Sequence, residues 1–232
     1  MTVAAIPESR RLRGKIELVL PMLLAAGRRL FGHPRIGELY AEYLFTSHCI
    51  IRASVPLMQR ARERAAVLRD DPVASIVADY FATHIEEERG HDEWLLEDMA
   101  SLGVTREEVL TRPPSAAAAA LVGAQYYWIE HYHPVALLGY VALLEGYPPV
   151  AAEIEELRRR TGYGADAFRT LSLHGELDPR HGEELDHVLD TLPLTDGQRT
   201  VLGLSAIASV HGMTAVVDEI IEKAPSASAP RG

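Results

Sequence analysis

The chain has 232 residues, of which 47% are apolar, and its formal net charge is −10. This length and composition suffice for one sizeable core, while the acidic balance argues against nucleic acid or an anionic membrane as a partner, since both bind basic surfaces. Cys49 is the only cysteine, which excludes a disulfide framework and a thiolate metal cage. No segment approaches the roughly 18 uncharged apolar residues of a membrane span, and none has the form of a signal peptide, so we expect a cytoplasmic protein.

Helical periodicity dominates the chain, and alternating β patterns are nearly absent. Pro21, Pro56 and Pro179 fall inside predicted helices and are expected to kink them, because proline lacks a backbone donor. The sequence predicts a single all-α domain over residues 1–223, and the small, polar tail at 224–232 is expected to be disordered. The predicted helices cover roughly 9–30, 36–68, 72–102, 114–131, 134–147, 149–161, 164–191 and 195–223.

The predicted helix 72–102 carries the motif His84-Ile-Glu-Glu-Glu88-Arg-Gly-His91. Positions i, i+4 and i+7 of a helix lie within a sector of about 60°, so two imidazoles and a carboxylate point in one direction. The residues nearest to this direction are apolar or aromatic, whereas charged residues occupy the opposite side of the helix. The inward-facing neighbours are Val77, Tyr80, Phe81, Leu95 and Met99.

The predicted helix 164–191 repeats the spacing in His174-Gly-Glu-Leu-Asp178-Pro-Arg-His181. Its ligand candidates also share a face with apolar residues, among them Leu185 and Leu189. Ionisable groups on a core-facing side are costly unless they are paired or bound to a metal. Two such helices facing each other predict a binuclear metal site, and the alternative is a pair of buried histidine–carboxylate hydrogen bonds without metal.

Glu145 is a further candidate ligand, since it is the only charged residue in the apolar run from Pro134 to Glu145. It is either buried with a partner or solvated at the end of its helix. A negative charge at a helix C-terminus is mildly unfavourable, which favours the ligand role. Imidazole and carboxylate ligands suit iron or manganese better than structural zinc. The complete set of candidate ligands is His84, Glu88, His91, Glu145, His174, Asp178 and His181.

These motifs resemble those of the haem-oxygenase-like diiron oxidases and oxygenases. The pattern is His84-x2-Glu-Glu88-x2-His91, then Leu-Glu145 at the end of an apolar helix, then His174-x3-Asp178-Pro-x-His181, and the resemblance spans about residues 36–220. Proteins of this family are related in fold to thiaminase II and pyrroloquinoline-quinone synthase and are often labelled iron-containing redox enzymes. The resemblance implies a haem-oxygenase-like bundle of seven or more helices in which two irons activate O₂.

The resemblance also implies which residues bind the irons. His91, Glu145, His174, Asp178 and His181 match ligand positions of the family. Some members place a Glu seven residues before the motif histidine, where this chain has His84, and others use a Glu three residues before it, here Glu88. Many members draw a further ligand from the preceding long helix, where the candidates are Glu42 and His48.

The expected function is that of a non-haem diiron enzyme with O₂ as co-substrate. The resemblance implies an oxidase or oxygenase acting on a small amino-acid-like or fatty-acid-like molecule in a biosynthetic pathway. A homodimer and an external reductant are further expectations. Two alternatives stay open. One is a haem-dependent or metal-free small-molecule enzyme of the same fold, for which His48 would be the haem ligand, and the other is a metal-binding bundle without turnover.

Overall fold

The computed structural model describes residues 6–224, and in this part of the chain all regular structure is helical. The all-α prediction is confirmed. The tail predicted to be disordered lies, except for Ala224, outside the described residues. The helices are α1 (Glu8–Phe31), α2 (Ile36–Ile51), α3 (Ser54–Ala66), α4 (Pro72–Glu88), α5 (His91–Ser101), α6 (Arg106–Thr111), α7 (Ala116–His131), α8 (Leu137–Leu144), α9 (Ala151–Thr161), α10 (Arg169–Thr191) and α11 (Asp196–Glu222), with 3₁₀ turns at Pro134–Ala136 and Ala165–Phe168.

The predicted helix 36–68 is wrong as a single element, because the structure divides it into α2 and α3 at Arg52 and Ala53. Pro56 explains the position of the break. A helical residue at 56 would donate its N–H to the carbonyl of Arg52, and proline has no N–H and clashes with that carbonyl. By contrast, α1 and α10 continue through Pro21 and Pro179.

The predicted helix 72–102 is also wrong as one element, since α4 ends at Glu88 and α5 begins at His91. Arg89 is extended, and Gly90 takes φ +90°, a left-handed conformation that favours glycine. The apolar pattern continues across this turn, which is why periodicity alone does not show it. Short helix α6 was not predicted, although its capping box of Thr105 and Glu108 is a recognisable start signal.

Helix α11 packs against α1, α7 and α8. The predicted inward faces of the two motif helices are confirmed, since Phe81 and Leu185 are fully buried. Helix α11 is also long and apolar enough to cross a membrane, with 56% of its most apolar window buried inside the structure. A buried core helix passes that test as well, so it is weak evidence for a membrane span.

Helices α8 and α11 approach each other closely at Gly139. A Cβ atom added there would lie 2.5 Å from the carbonyl oxygen of Leu202 and 2.8 Å from the backbone nitrogen of Ala206. Both contacts are to backbone, which cannot rotate away as a side chain could. Glycine at 139 therefore sets the position of α8, whose C-cap is Glu145.

Candidate metal centre

The first group of candidate ligands consists of His84, Glu145 and His181, which we name cluster 1. These residues come from α4, the end of α8 and α10, and each offers a ligand atom within 4.8 Å of the others. His84 Nε2 lies 2.6 Å from Glu145 Oε1. Only 2% of the His84 side chain and 11% of the Glu145 side chain are exposed, so Glu145 is buried with a partner rather than solvated.

The second group, cluster 2, consists of Glu88, His91 and His174, whose ligand atoms also lie within 4.8 Å of one another. His91 Nδ1 is 3.2 Å from Glu88 Oε2. Glu88 is the last residue of α4 and His91 the first of α5. The prediction that His84, Glu88 and His91 share one continuous helix is therefore wrong, and the turn at Gly90 directs His91 toward Glu88.

The two motifs face each other in antiparallel order. His84 meets His181 and His91 meets His174, each pair with ring centroids 5.1 Å apart and nearly perpendicular rings. Along a helix, seven residues span about 10 Å, so the two histidines of one motif serve different clusters. Each cluster is thus assembled from both motifs.

Asp178 lies on α10 between His174 and His181 and is 3% exposed. Burial, and then the negative charges of Glu145 and Glu88, raise the pKa of Asp178 to about 8. Glu145 belongs to cluster 1 and Glu88 to cluster 2, so the carboxylate of Asp178 is within electrostatic reach of both clusters.

Four buried ligand-candidate atoms make no well-aligned hydrogen bond: His91 Nδ1, which faces Glu88 Oε2 at 3.2 Å, Glu145 Oε2, Asp178 Oδ1 and His181 Nδ1. Buried polar atoms without partners are rare and costly in proteins. These four belong to residues that surround one small volume and carry lone pairs suited to a cation. The residues present therefore fit a pair of metal ions, and a mixed imidazole–carboxylate set matches iron or manganese.

The protonation of His84 depends on the carboxylates that surround it. Burial opposes the charged imidazolium, but the hydrogen bond to Glu145 and the charges of Glu145 and Glu88 outweigh it and raise the pKa of His84 to about 9. The metal-free site thus holds a proton on His84 at neutral pH. Since ligands bind metal in deprotonated form, metal binding there releases protons.

Neighbouring polar groups orient two of the histidines. Thr170 O accepts a hydrogen bond from His174 Nδ1 at 2.9 Å, which leaves His174 Nε2 free for a ligand role. Glu87 Oε2 lies 3.3 Å from His84 Nδ1, and Arg180 Nη1 donates to Glu87 Oε1 at 2.8 Å. Such partners fix the tautomer and the direction of metal-binding imidazoles.

Asp98 is a polar residue of this region that sequence reasoning missed. It is 0% exposed, and its Oδ2 accepts the backbone N–H of Thr170 at 3.0 Å, in the first turn of α10. Asp98 thereby connects α5, which begins with His91, to α10, which carries His174. Its sequence signal was an acidic residue seven positions after His91, on the buried face of α5.

Glu42 and His48 belong to neither cluster. The carboxylate of Glu42 pairs with Arg112 and Lys223, each at 2.5 Å. His48 is buried on α2 with its Nδ1 unpartnered, and it does not line the cavity described next. The described geometry thus offers no support for either residue as a ligand to the clusters.

A cavity of about 250 Å³ adjoins the clusters. Its lining contains candidate ligands from both clusters, together with Asp178. Most of the remaining lining is apolar, and part of it comes from the end of α2 and the start of α3, on both sides of the break at Arg52 and Ala53. The candidate ligands in the lining are His84, Glu88, Glu145, His174 and Asp178.

Solved structures with the same fold cover nearly the whole chain. A domain of unknown function with a haem-oxygenase-like fold from Shewanella denitrificans matches with a TM-score of 0.78 at 20% identity, over 94% of each chain. A TenA homologue from Pseudomonas syringae has a TM-score of 0.70 at 13% identity over 96% of each chain. A CADD-like protein of unknown function from Nostoc punctiforme has a TM-score of 0.67 at 14% identity, over 93% of this chain and 99% of that one. The haem-oxygenase-like fold is confirmed.

No curated protein matches the chain significantly. The model of one protein family, described as iron-containing redox enzyme, matches residues 64–210. This match covers more than half of the chain and includes Asp178 and every residue of the two clusters. The chain therefore belongs to the iron-containing redox enzyme family.

Proposed function

We propose that this protein is an O₂-dependent oxidase or oxygenase that uses two non-haem iron ions to oxidise a small organic molecule. The proposal depends on one observation, the two buried clusters of histidine and carboxylate side chains. Each cluster contains residues of both antiparallel motifs, and Asp178 is within electrostatic reach of both clusters. Membership of the iron-containing redox enzyme family supports iron as the metal.

Each cluster supplies one ion with two imidazoles and one carboxylate. His84, Glu145 and His181 would hold the first ion, and Glu88, His91 and His174 the second. Asp178 lies within electrostatic reach of both clusters and would be a further ligand candidate for either ion. Ferrous ions bound at these residues would supply electrons for the reduction of O₂ and Lewis acidity.

The surrounding residues position the ligands and control protons and water. Thr170 and Glu87 hold the outward nitrogens of His174 and His84. The apolar residues that line the cavity would limit the access of water to the reacting centre, which would strengthen electrostatic interactions there. His84 and Asp178 hold protons in the metal-free site and release them when metal binds.

Anaerobic loading with ferrous iron tests the proposal. We expect about two irons per chain, as in other bundle-held binuclear carboxylate sites, and a change in the visible spectrum when O₂ is added. His181→Ala and His174→Ala remove one ligand from cluster 1 and cluster 2 respectively, so each variant should retain about one tightly bound iron.

His187→Ala is the matched control, because His187 lies on the same helix and is exposed; it should bind iron as the unchanged protein does. Full iron binding by the double variant His91→Ala with Asp178→Ala would contradict the ligand assignment. Competition between ferrous iron and Mn²⁺ in the same titration identifies the preferred metal.

The proposal extends to partners and location. It includes a small-molecule substrate, an external reductant where the reaction consumes extra electrons, and a cytoplasmic site of action. A homodimer is part of the same expectation and is measured by sedimentation. Neither nucleic acid nor a membrane surface is proposed as a partner, given the formal net charge of −10.

A further inference from the structure

Glu145 differs from the other residues of the two clusters in how its backbone is held. The other five lie within helices α4, α5 and α10, whereas Glu145 is the C-cap of α8 and begins the segment that leads to α9. The backbone beyond a C-cap lacks the repeating hydrogen bonds of a helix. The position of the Glu145 carboxylate therefore depends on what holds residues 145–150, which we name the α8–α9 segment.

The α8–α9 segment packs along one face of α10. Gly175 and Gly182 each directly follow a cluster histidine and are seven residues apart, so they lie on the same face of the helix. A Cβ atom added at Gly182 would lie 3.7 Å from the carbonyl oxygen of Glu145, and one added at Gly175 would lie 2.8 Å from that of Pro149. The two glycines thus let the backbone of the segment approach α10 at both of these points.

Arg13 of α1 lies between the start of the α8–α9 segment and α10. Its Nε is 2.9 Å from Asp186 Oδ2 and its Nη2 is 2.8 Å from Asp186 Oδ1, which makes a two-pronged ion pair with α10. Nη2 also donates to the carbonyl oxygen of Gly182 at 3.4 Å. On the other side, a Cβ atom added at Gly146 would lie 2.9 Å from Arg13 Nη1. One guanidinium group therefore lies against the α8–α9 segment and binds α10.

The ion pair between Arg13 and Asp186 is better suited to fixing geometry than to stabilising the fold. Their side chains are 26% and 36% exposed, and partly exposed ion pairs contribute little to the free energy of unfolding. The guanidinium is planar, and its donors form a rigid fork that can bind a carboxylate and a carbonyl at once. Its main effect should therefore be on the separation of the α8–α9 segment from α10.

We propose that Arg13 is a positioning residue for the first metal site. It holds the α8–α9 segment against α10 and so keeps Glu145 and His181 at the separation that cluster 1 requires. This inference rests on the proposed function, because it assigns Arg13 a role in metal binding. Cluster 2 contains no residue of α8 or of the α8–α9 segment, so its affinity for metal should not depend on Arg13.

The test is anaerobic titration with ferrous iron of variants that keep one complete cluster. His174→Ala leaves cluster 1 intact, and His181→Ala leaves cluster 2 intact. Arg13→Met, added to each, removes the guanidinium but keeps an unbranched side chain. We expect Kd for iron to rise at least about tenfold in the His174→Ala background, as for loss of other groups that orient metal ligands, and to stay unchanged in the His181→Ala background. An equal rise in both backgrounds would overturn the proposal.

Arg29→Met is the matched control. Arg29 also lies on α1 and pairs with an aspartate, Asp218, but this pair joins α1 to α11, and neither helix carries a cluster residue. The control should leave iron binding unchanged in both backgrounds. Arg13→Lys keeps a positive charge opposite Asp186 but loses the fork, so it should unfold at the same denaturant concentration as the parent and still weaken cluster 1. Iron binding as tight as that of the parent would show that charge alone suffices and would contradict the positioning role.

Amide hydrogen exchange of the metal-free protein separates this inference from the proposed function. We expect the amides of the α8–α9 segment to exchange faster in Arg13→Met than in the parent or in Arg29→Met, because a segment with fewer contacts opens more often. A protein that binds two irons whether or not Arg13 is present, with unchanged affinities, overturns the inference alone. If neither single-cluster variant binds iron, the proposed function fails, and unchanged exchange rates in Arg13→Met would then overturn the holding role of Arg13 as well.

Discussion

Asp98 is a buried acid that touches neither cluster but holds the backbone on which His174 depends. Its Oδ2 accepts the N–H of Thr170, and the carbonyl of Thr170 accepts the proton of His174 Nδ1. The Asp98 carboxylate, which belongs to α5, therefore caps the first turn of α10. Because caps satisfy donors that have no partner inside the helix, the removal of this carboxylate frees the first turn of α10.

We expect Asp98→Ala to lower the free energy of unfolding by about 1 to 3 kcal/mol, the range for loss of a buried charged hydrogen bond. The substitution should also weaken iron binding at cluster 2 more than at cluster 1, because Thr170 O accepts a hydrogen bond from His174, which belongs to cluster 2. Asp98→Asn keeps an oxygen acceptor and should restore both properties. Denaturant unfolding and iron titration measure them, and a loss of stability with unchanged iron affinities would show that Asp98 does not position His174.

At the scale of elements, the close contact between α8 and α11 locates Glu145. Gly139→Ala places a methyl group against the backbone of Leu202 and Ala206, and overpacking of this kind typically costs about 1 to 3 kcal/mol. We expect the variant to be less stable and to bind less iron at cluster 1, since α8 must move away from α11.

Gly123→Ala is the control for this change, because a Cβ at 123 meets nothing within 4 Å in the middle of α7. It should raise the free energy of unfolding by about 0.5 to 1 kcal/mol through helix propensity. Chemical denaturation and iron titration of both variants provide the comparison. Equal stability of the two variants would mean that the α8–α11 contact adapts to the added methyl group.

The helical elements also show how far sequence patterns reach. Periodicity predicted the helices that carry His84, Glu145 and His174, because an amphipathic stripe needs only local information. The turn at Gly90 was not predicted, since the apolar pattern continues across it and does not indicate a positive φ. The sequence named seven candidate ligands, but the division of six of them into two clusters depends on the antiparallel arrangement of α4–α5 and α10, which spacing along one chain does not contain.

At the scale of the whole molecule, His133 is one of the buried groups that make stability depend on pH. Its Nδ1 accepts the backbone N–H of Val135 at 3.0 Å, and its Nε2 faces Asp71 Oδ2 at 3.1 Å. Burial lowers the pKa of His133, although Asp71 opposes this effect. The folded protein therefore takes up the proton at a lower pH than the unfolded chain, whose histidine titrates near about 6.5.

As pH falls below about 6.5, the unfolded state binds more protons at this position and the free energy of unfolding decreases, by at most about 1.4 kcal/mol per pH unit. An asparagine at 133 can still cap the 3₁₀ turn but does not titrate. We therefore expect His133→Asn to lose the contribution of His133 to the change of unfolding free energy with pH, between neutral and mildly acidic pH. His187→Asn, at an exposed position, should keep it. Denaturant unfolding of metal-free protein at several pH values measures the slopes, and identical slopes for the parent and His133→Asn would contradict the assignment.

The turn at Gly90 has a consequence for the bundle itself. It puts Glu88 and His91 on separate helices, so cluster 2 draws on α4, α5 and α10, while cluster 1 draws on α4, α8 and α10. Two ions held there would act as further cross-links among four helices that already meet through side-chain packing and through hydrogen bonds such as that from Thr170 to Asp98. Ligands that bind only the folded state stabilise it by mass action, so the supply of metal would govern the lifetime of the folded chain as well as its chemistry.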